Sequence, residues 1–110
     1  MNSPKTARIR ALNDALRQTG RGGKMLLTPG VSALGPTFLS DVCVAMAAFA
    51  AFDDANDPYG EHDFGALEVA GQRVFWKIDY YDRSMMAGAE DPADPLTCQR
   101  VLTIMLADEY

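Results

Sequence analysis

The chain has 110 residues, 48% of them hydrophobic and 23% charged, and a formal net charge of −5. That length suits one domain with a single core, large enough to stand without a disulfide or structural metal, and the composition excludes disorder. The longest apolar run, 42–52, falls well short of the roughly 20 residues of a membrane span, so no membrane association is expected. The polar opening Met1–Thr6 has no secretory apolar core, which leaves the cytoplasm as the expected location and Cys43 and Cys98 as reduced thiols.

Ser3-Pro4 reads as a helix start, with serine taking a free N–H and proline fitting the first turn. Ile9, Leu12 and Leu16 then form a narrow apolar stripe, with Arg8, Arg10, Asp14 and Arg17 off it. The helix is expected to end before Gly20-Arg21-Gly22-Gly23, where glycine accepts the left-handed cap. A short strand over 24–27 and a turn at Thr28-Pro29-Gly30 follow. Gly35-Pro36-Thr37 opens a second helix expected to run to about Phe52, with Phe38, Val42, Met46 and Phe49 on its main face.

A polar loop, 53–60, precedes a change of period. Residues 64–69 and 73–81 read as a hairpin around Ala70-Gly71-Gln72, with Val74, Trp76, Ile78 and Tyr80 on one face of the second strand. A loop over 82–97 leads to a last strand, 100–106, apolar on both faces as a central strand would be. The expected class is α+β, in the order α-β-α-β-β-β, with a mainly antiparallel sheet and two helices packed on one face.

Charge divides along the chain. Residues 1–52 hold six Lys/Arg against Asp14 and Asp41, a balance of +4; residues 53–110 hold four against thirteen Asp/Glu, a balance of −9. Such asymmetry is read as a basic arm for nucleic acid or phosphate, as an acidic face for a basic partner, or as a basic first helix docked on its own acidic half or on a neighbour's.

Four segments carry a resemblance: NDPYGEHDFG (56–65), FWKIDYYD (75–82), DPADP (91–95) and RVLTIMLADEY (100–110). Together they resemble a family of small proteobacterial proteins of unknown function, DUF 3768. The resemblance implies a compact bacterial protein, often carried on plasmids and other mobile elements, and it implies no activity.

The densest polar cluster is Asp57, Glu61, His62 and Asp63. It is read either as a turn-stabilising loop or as a metal or acid–base site built on Glu61 and Asp63. Strand alternation would place Glu61 and Asp63 on one side and His62 on the other. His62 is the only histidine, so any nucleophilic triad must use it with Cys43, Cys98 or Ser84, none of which sits in a nucleophile context. The glycines at 20–23 lie between helix and strand, the wrong order for a phosphate-binding loop.

On the second hairpin strand, Lys77, Asp79 and Tyr81 face away from the helices, with Lys77 expected to meet Glu68 or Asp79. The leading expectation is therefore a non-enzymatic, cofactor-free acidic protein that binds a basic protein surface. Its candidate surface comprises Asp57, Tyr59, Glu61, His62 and Asp63, then Lys77, Asp79, Tyr81 and Asp82, and finally Asp91 and Asp94. A small metal-dependent hydrolase or nuclease using Glu61, His62 and Asp63 is the alternative. Direct nucleic-acid binding through Arg8, Arg10, Arg17, Arg21 and Lys24 is disfavoured by the acidic remainder, and a homodimer is left open.

Overall fold

A computed structural model of the chain describes residues 3–110. Helix α1 spans Pro4–Thr19, strand β1 Gly23–Leu27, helix α2 Pro29–Ala33 and helix α3 Gly35–Ala48. Strands β2 (Phe64–Val69), β3 (Gln72–Asp82) and β4 (Cys98–Leu106) follow, and a 3-10 turn, Ala107–Glu109, closes the chain. The four strands form one sheet in the order β1-β4-β3-β2. The β2–β3 and β3–β4 pairs are antiparallel, while β1 lies parallel to β4. The class is α+β, and β4 is central, which accounts for its two apolar faces.

Local chemistry sets the ends of α1. The Ser3 hydroxyl accepts from the Thr6 N–H at 3.0 Å, and Gly20 adopts the left-handed conformation with φ 77°, donating to the Leu16 carbonyl at 2.8 Å. Thr28-Pro29-Gly30 is not a turn. Thr28 is an extended N-cap and Pro29 the first residue of the short helix α2, a position where proline's missing N–H costs nothing.

Helix α3 stops at Ala48 instead of continuing to Phe52, for a tertiary reason. The Arg17 guanidinium of α1 donates to the carbonyls of Met46 (2.8 Å) and Phe49 (2.9 Å), serving the end of α3 from outside the helix. Phe49 turns extended, and its ring and that of Phe52 pack edge-on against Trp76 at 6.0 and 6.2 Å.

The core lies between the helices and one sheet face, where Leu16, Val31, Phe38, Val42 and Met46 meet Val69, Val74, Trp76, Ile78, Leu102 and Ile104. Each of these larger side chains contributes about 1.5–3 kcal/mol by leaving water. Gly65 stands opposite Trp76 in the β2–β3 register, and a Cβ there would collide with the indole. The same alternation puts Phe75, Lys77, Asp79 and Tyr81 on the opposite face. Among the described residues no helix is long and apolar enough to cross a membrane.

Candidate interaction surface

The loop between α3 and β2 is a nested set of side-chain-to-backbone bonds. Asp53 Oδ1 accepts from the N–H groups of Ala55 and Asn56 at 2.9 Å, and Asn56 in turn receives the Asp53 N–H. Asp57 is buried and accepts from the His62 N–H at 3.0 Å. His62 has φ 55° and precedes β2, so strand alternation does not govern residues 61–63, and the expected split of Glu61 and Asp63 from His62 does not apply.

The imidazole stacks flat on Phe52, with centroids 3.7 Å apart. Its Nδ1 lies 2.9 Å from Asp14 Oδ1, which requires the proton on that nitrogen, and its Nε2 lies 3.7 Å from Asp57 Oδ2. Asp14 also holds Arg17 at 2.8 Å.

Beside this relay runs a second network. Asn13 Nδ2 donates to Tyr80 Oη (2.7 Å) and to the Glu61 carbonyl (3.0 Å), while Tyr80 Oη donates to Glu61 Oε1 at 2.8 Å. Asn13 Oδ1 accepts from Arg100 Nε at 2.8 Å, and Arg100 also donates to the Pro92 carbonyl. Arg100 is 1% exposed, and its guanidinium lies 5.3 Å over the Tyr80 ring. Burial pushes the Tyr80 hydroxyl well above its ordinary range and draws Arg100 down from its own. Among the described residues no carboxylate touches Arg100. It is satisfied by neutral acceptors, with Glu61 one tyrosine away.

These contacts relocate several expected roles. On α1 the buried face is Ile9, Asn13, Leu16 and Arg17, while Leu12 is only half-buried. Asn13 and Arg17 continue the i, i+4, i+8 row from Ile9, and that spacing was the available signal that they point inward. Of the basic residues read as a nucleic-acid arm, Arg8 donates to the Ala93 carbonyl (2.8 Å), Arg10 to the Gly60 carbonyl (2.9 Å), and Arg17 lies inside. Lys5 pairs with Asp91 at 3.3 Å. Lys5, Arg8 and Arg10 thus reach into the acidic half, Lys5 as an ion pair and the two arginines through carbonyls, while Arg17 stays with Asp14 and the end of α3.

Nine of the eleven surface candidates fall into three places. Asp82, Asp91 and Asp94, joined by Glu90, line a groove of about 450 Å³ with Ala87, Gly88 and Thr97. Its carboxylates also hold the loop that carries them. Asp82 Oδ1 accepts from Ser84 Oγ (2.7 Å) and the Met86 N–H (3.1 Å), Asp91 from the Ala93 N–H (3.1 Å), and Asp94 from the Leu96 N–H (2.9 Å). The Ser84 hydroxyl holds Asp82 below the usual carboxylate range, and the Ala93 N–H does the same for Asp91. Both are anions at neutral pH.

Asp57, Tyr59 and Glu61 line a smaller cleft of about 340 Å³ with Asp54 and Thr6, and Tyr59 is 78% exposed. Lys77, Asp79 and Tyr81 lie on the far sheet face. There Lys77 meets Asp79 at 3.0 Å, a contact that raises the lysine's pKa, and Glu68 pairs with Arg73 instead. His62, half-buried, is held between Asp14 and Asp57. Burial, then the neighbouring Glu61, raise Asp63 above the ordinary carboxylate range.

The geometry also bears on chemistry. Glu61, His62 and Asp63 do not converge: Glu61 serves Tyr80 and His62 serves Asp14. Among the described residues no group of three or more His, Cys, Asp or Glu side chains is placed to hold a metal ion. Burial raises both Cys43 and Cys98, so neither thiol is activated.

A family model described as "Protein of unknown function (DUF3768)" matches residues 27–109, from the end of β1 through the 3-10 turn. Helix α1 lies outside that stretch, although it supplies Asn13, Asp14 and Arg17 to the networks beneath it. No curated protein and no solved structure matches the chain. With most of its length inside the family model, the chain belongs to the DUF3768 family of proteins of unknown function.

Proposed function

We propose that this is a non-enzymatic cytoplasmic binding protein whose acidic groove docks a basic surface of a partner protein. The observation that carries the reading is the groove itself, in which Asp82, Glu90, Asp91 and Asp94 surround about 450 Å³. Lys5 is the one cation among the described residues paired with any of these four. Each Asp commits Oδ1 to the loop, and Oδ2 of each accepts no hydrogen bond among the described residues. Among the same residues Glu90 accepts none at either oxygen. Such a groove fits arginine or lysine side chains presented on a convex surface. A partner that itself handles nucleic acid presents that chemistry, which makes inhibition or regulation the corresponding role. An antidefence factor on a mobile element, the setting the family resemblance implies, is one form of it.

The test is affinity capture from bacterial lysate at low and high salt, comparing wild type with a triple variant, Asp82→Asn, Glu90→Gln and Asp94→Asn. The amide oxygens preserve the loop's acceptors while the charge goes. A basic protein retained by wild type, released by salt and missed by the variant is expected. Wild type retaining nothing beyond what the variant retains sinks the reading.

A further inference from the structure

We propose that β1 is a dimer seam, on which a second copy of this chain adds its own β1 antiparallel to extend the sheet to eight strands. β1 is the outer strand next to β4, and among the described residues no strand pairs with its other side. Edge strands of monomers are commonly guarded by charge, proline or a bulge. This one carries Met25, Leu26 and Leu27, all exposed, with Leu26 at 51%, and Lys24 as its single charge.

The backbone is prepared for pairing. The Thr28 N–H donates to the Ile104 carbonyl at 3.1 Å, so strand alternation turns the peptide groups of Lys24 and Leu26 toward β4 as well. Those of Gly23, Met25 and Leu27 therefore point outward. A twofold axis at Met25 lets Met25 exchange both hydrogen bonds with Met25 of the second copy, and Gly23 exchange both with Leu27.

Side chains and charges fit the same axis. Leu27 lies across from the second copy's Gly23, a large residue over one with no side chain. Lys24 lies across from Leu26, with Thr28 and Lys24 of the other copy as its two diagonal neighbours. Thr28 Oγ1 holds the Glu109 carboxylate at 2.6 Å, and Gly30 N–H holds its other oxygen at 2.9 Å, so an anion is fixed at the C-terminal end of β1. Thr28's hydroxyl keeps Glu109 below the ordinary carboxylate range. Each edge thus has a cation near its start and an anion at its end. Antiparallel pairing makes the row Glu109, Lys24, Lys24, Glu109 across the seam, with no net charge. A parallel pairing would set like ends together. That complementarity selects a second copy over an unrelated strand.

Sedimentation equilibrium and amide hydrogen exchange on the full chain decide it, using wild type, Leu26→Lys and Leu26→Glu. Leu26 is half-exposed at the edge, so neither substitution disturbs the core. Wild type is expected to sediment at twice the 12.0 kDa chain mass and dissociate on dilution, with the Met25 and Leu27 amides protected in the dimer. Leu26→Lys sets lysine directly across from Lys24 and weakens association by about tenfold or more, with loss of that protection. Leu26→Glu sets an anion there and weakens it by clearly less. A wild type that stays monomeric to about 1 mM, equal effects of the two substitutions, or a dimer with the Met25 and Leu27 amides unprotected each overturns the proposal. Failure here leaves the acidic groove untouched, because the groove lies in the β3–β4 loop.

Discussion

Two regions of this protein use the same polar vocabulary to opposite ends. Beneath α1, Asn13, Arg17 and Arg100 are buried and Tyr80 and His62 half-buried, each bonded to another side chain or to a backbone carbonyl. At the β3–β4 loop, four acids surround an open groove, and the three aspartates among them use only part of their capacity to hold the loop. The comparison teaches that burial, more than residue type, divides structural charge from available charge. In the enclosed region each missing partner leaves another group stranded away from water; at the groove, water replaces what is removed.

Substitutions should therefore rank by enclosure. Arg100→Met has the largest expected effect, about 3 kcal/mol of stability lost in urea denaturation, because Asn13 Oδ1 and the Pro92 carbonyl lose their donor inside the protein. Asn13→Ala follows at about 2 kcal/mol, since it deprives Arg100, Tyr80 and the Glu61 carbonyl together. The double variant should lose less than the sum of the two, a coupling of about 1 kcal/mol. Strict additivity would deny that the two residues form one network.

Asp63→Asn sharpens the boundary between the regions. Burial raises the folded-state pKa of Asp63, so its ionisation opposes folding: stability is fully retained below the unfolded-state pKa of about 3.9 and declines as pH rises through the folded value. The asparagine variant should be more stable than wild type at pH 7, by less than about 1 kcal/mol, with the gain vanishing near pH 3. A gain that persists at pH 3 would have another origin. Glu90→Lys, at the exposed end of the scale, should leave the urea midpoint unchanged while abolishing capture of a basic partner.

Period and punctuation along the chain suffice for most of the architecture. The alternation of Val74, Trp76, Ile78 and Tyr80, the Gly20 cap, and the two-faced apolarity of 100–106 name the elements and identify β4 as central, because these signals act between near neighbours. The candidate site was legible as acids concentrated after residue 52, with Asp82, Asp91 and Asp94 carried on one loop over 82–97. That Glu90 joins these three in one groove and that His62 meets Asp14 of α1 depend on loop paths that no local period encodes.

The same divide separates the ends of α3. Its start follows from Gly35-Pro36, but its stop at Ala48 follows from Arg17, 29 residues upstream of Met46, reaching across to the helix's last carbonyls. Short-range sterics and hydrophobic spacing are written in order along a chain, so they can be read from it. Which distant donor meets which buried acceptor is decided only when the packed layers bring them together.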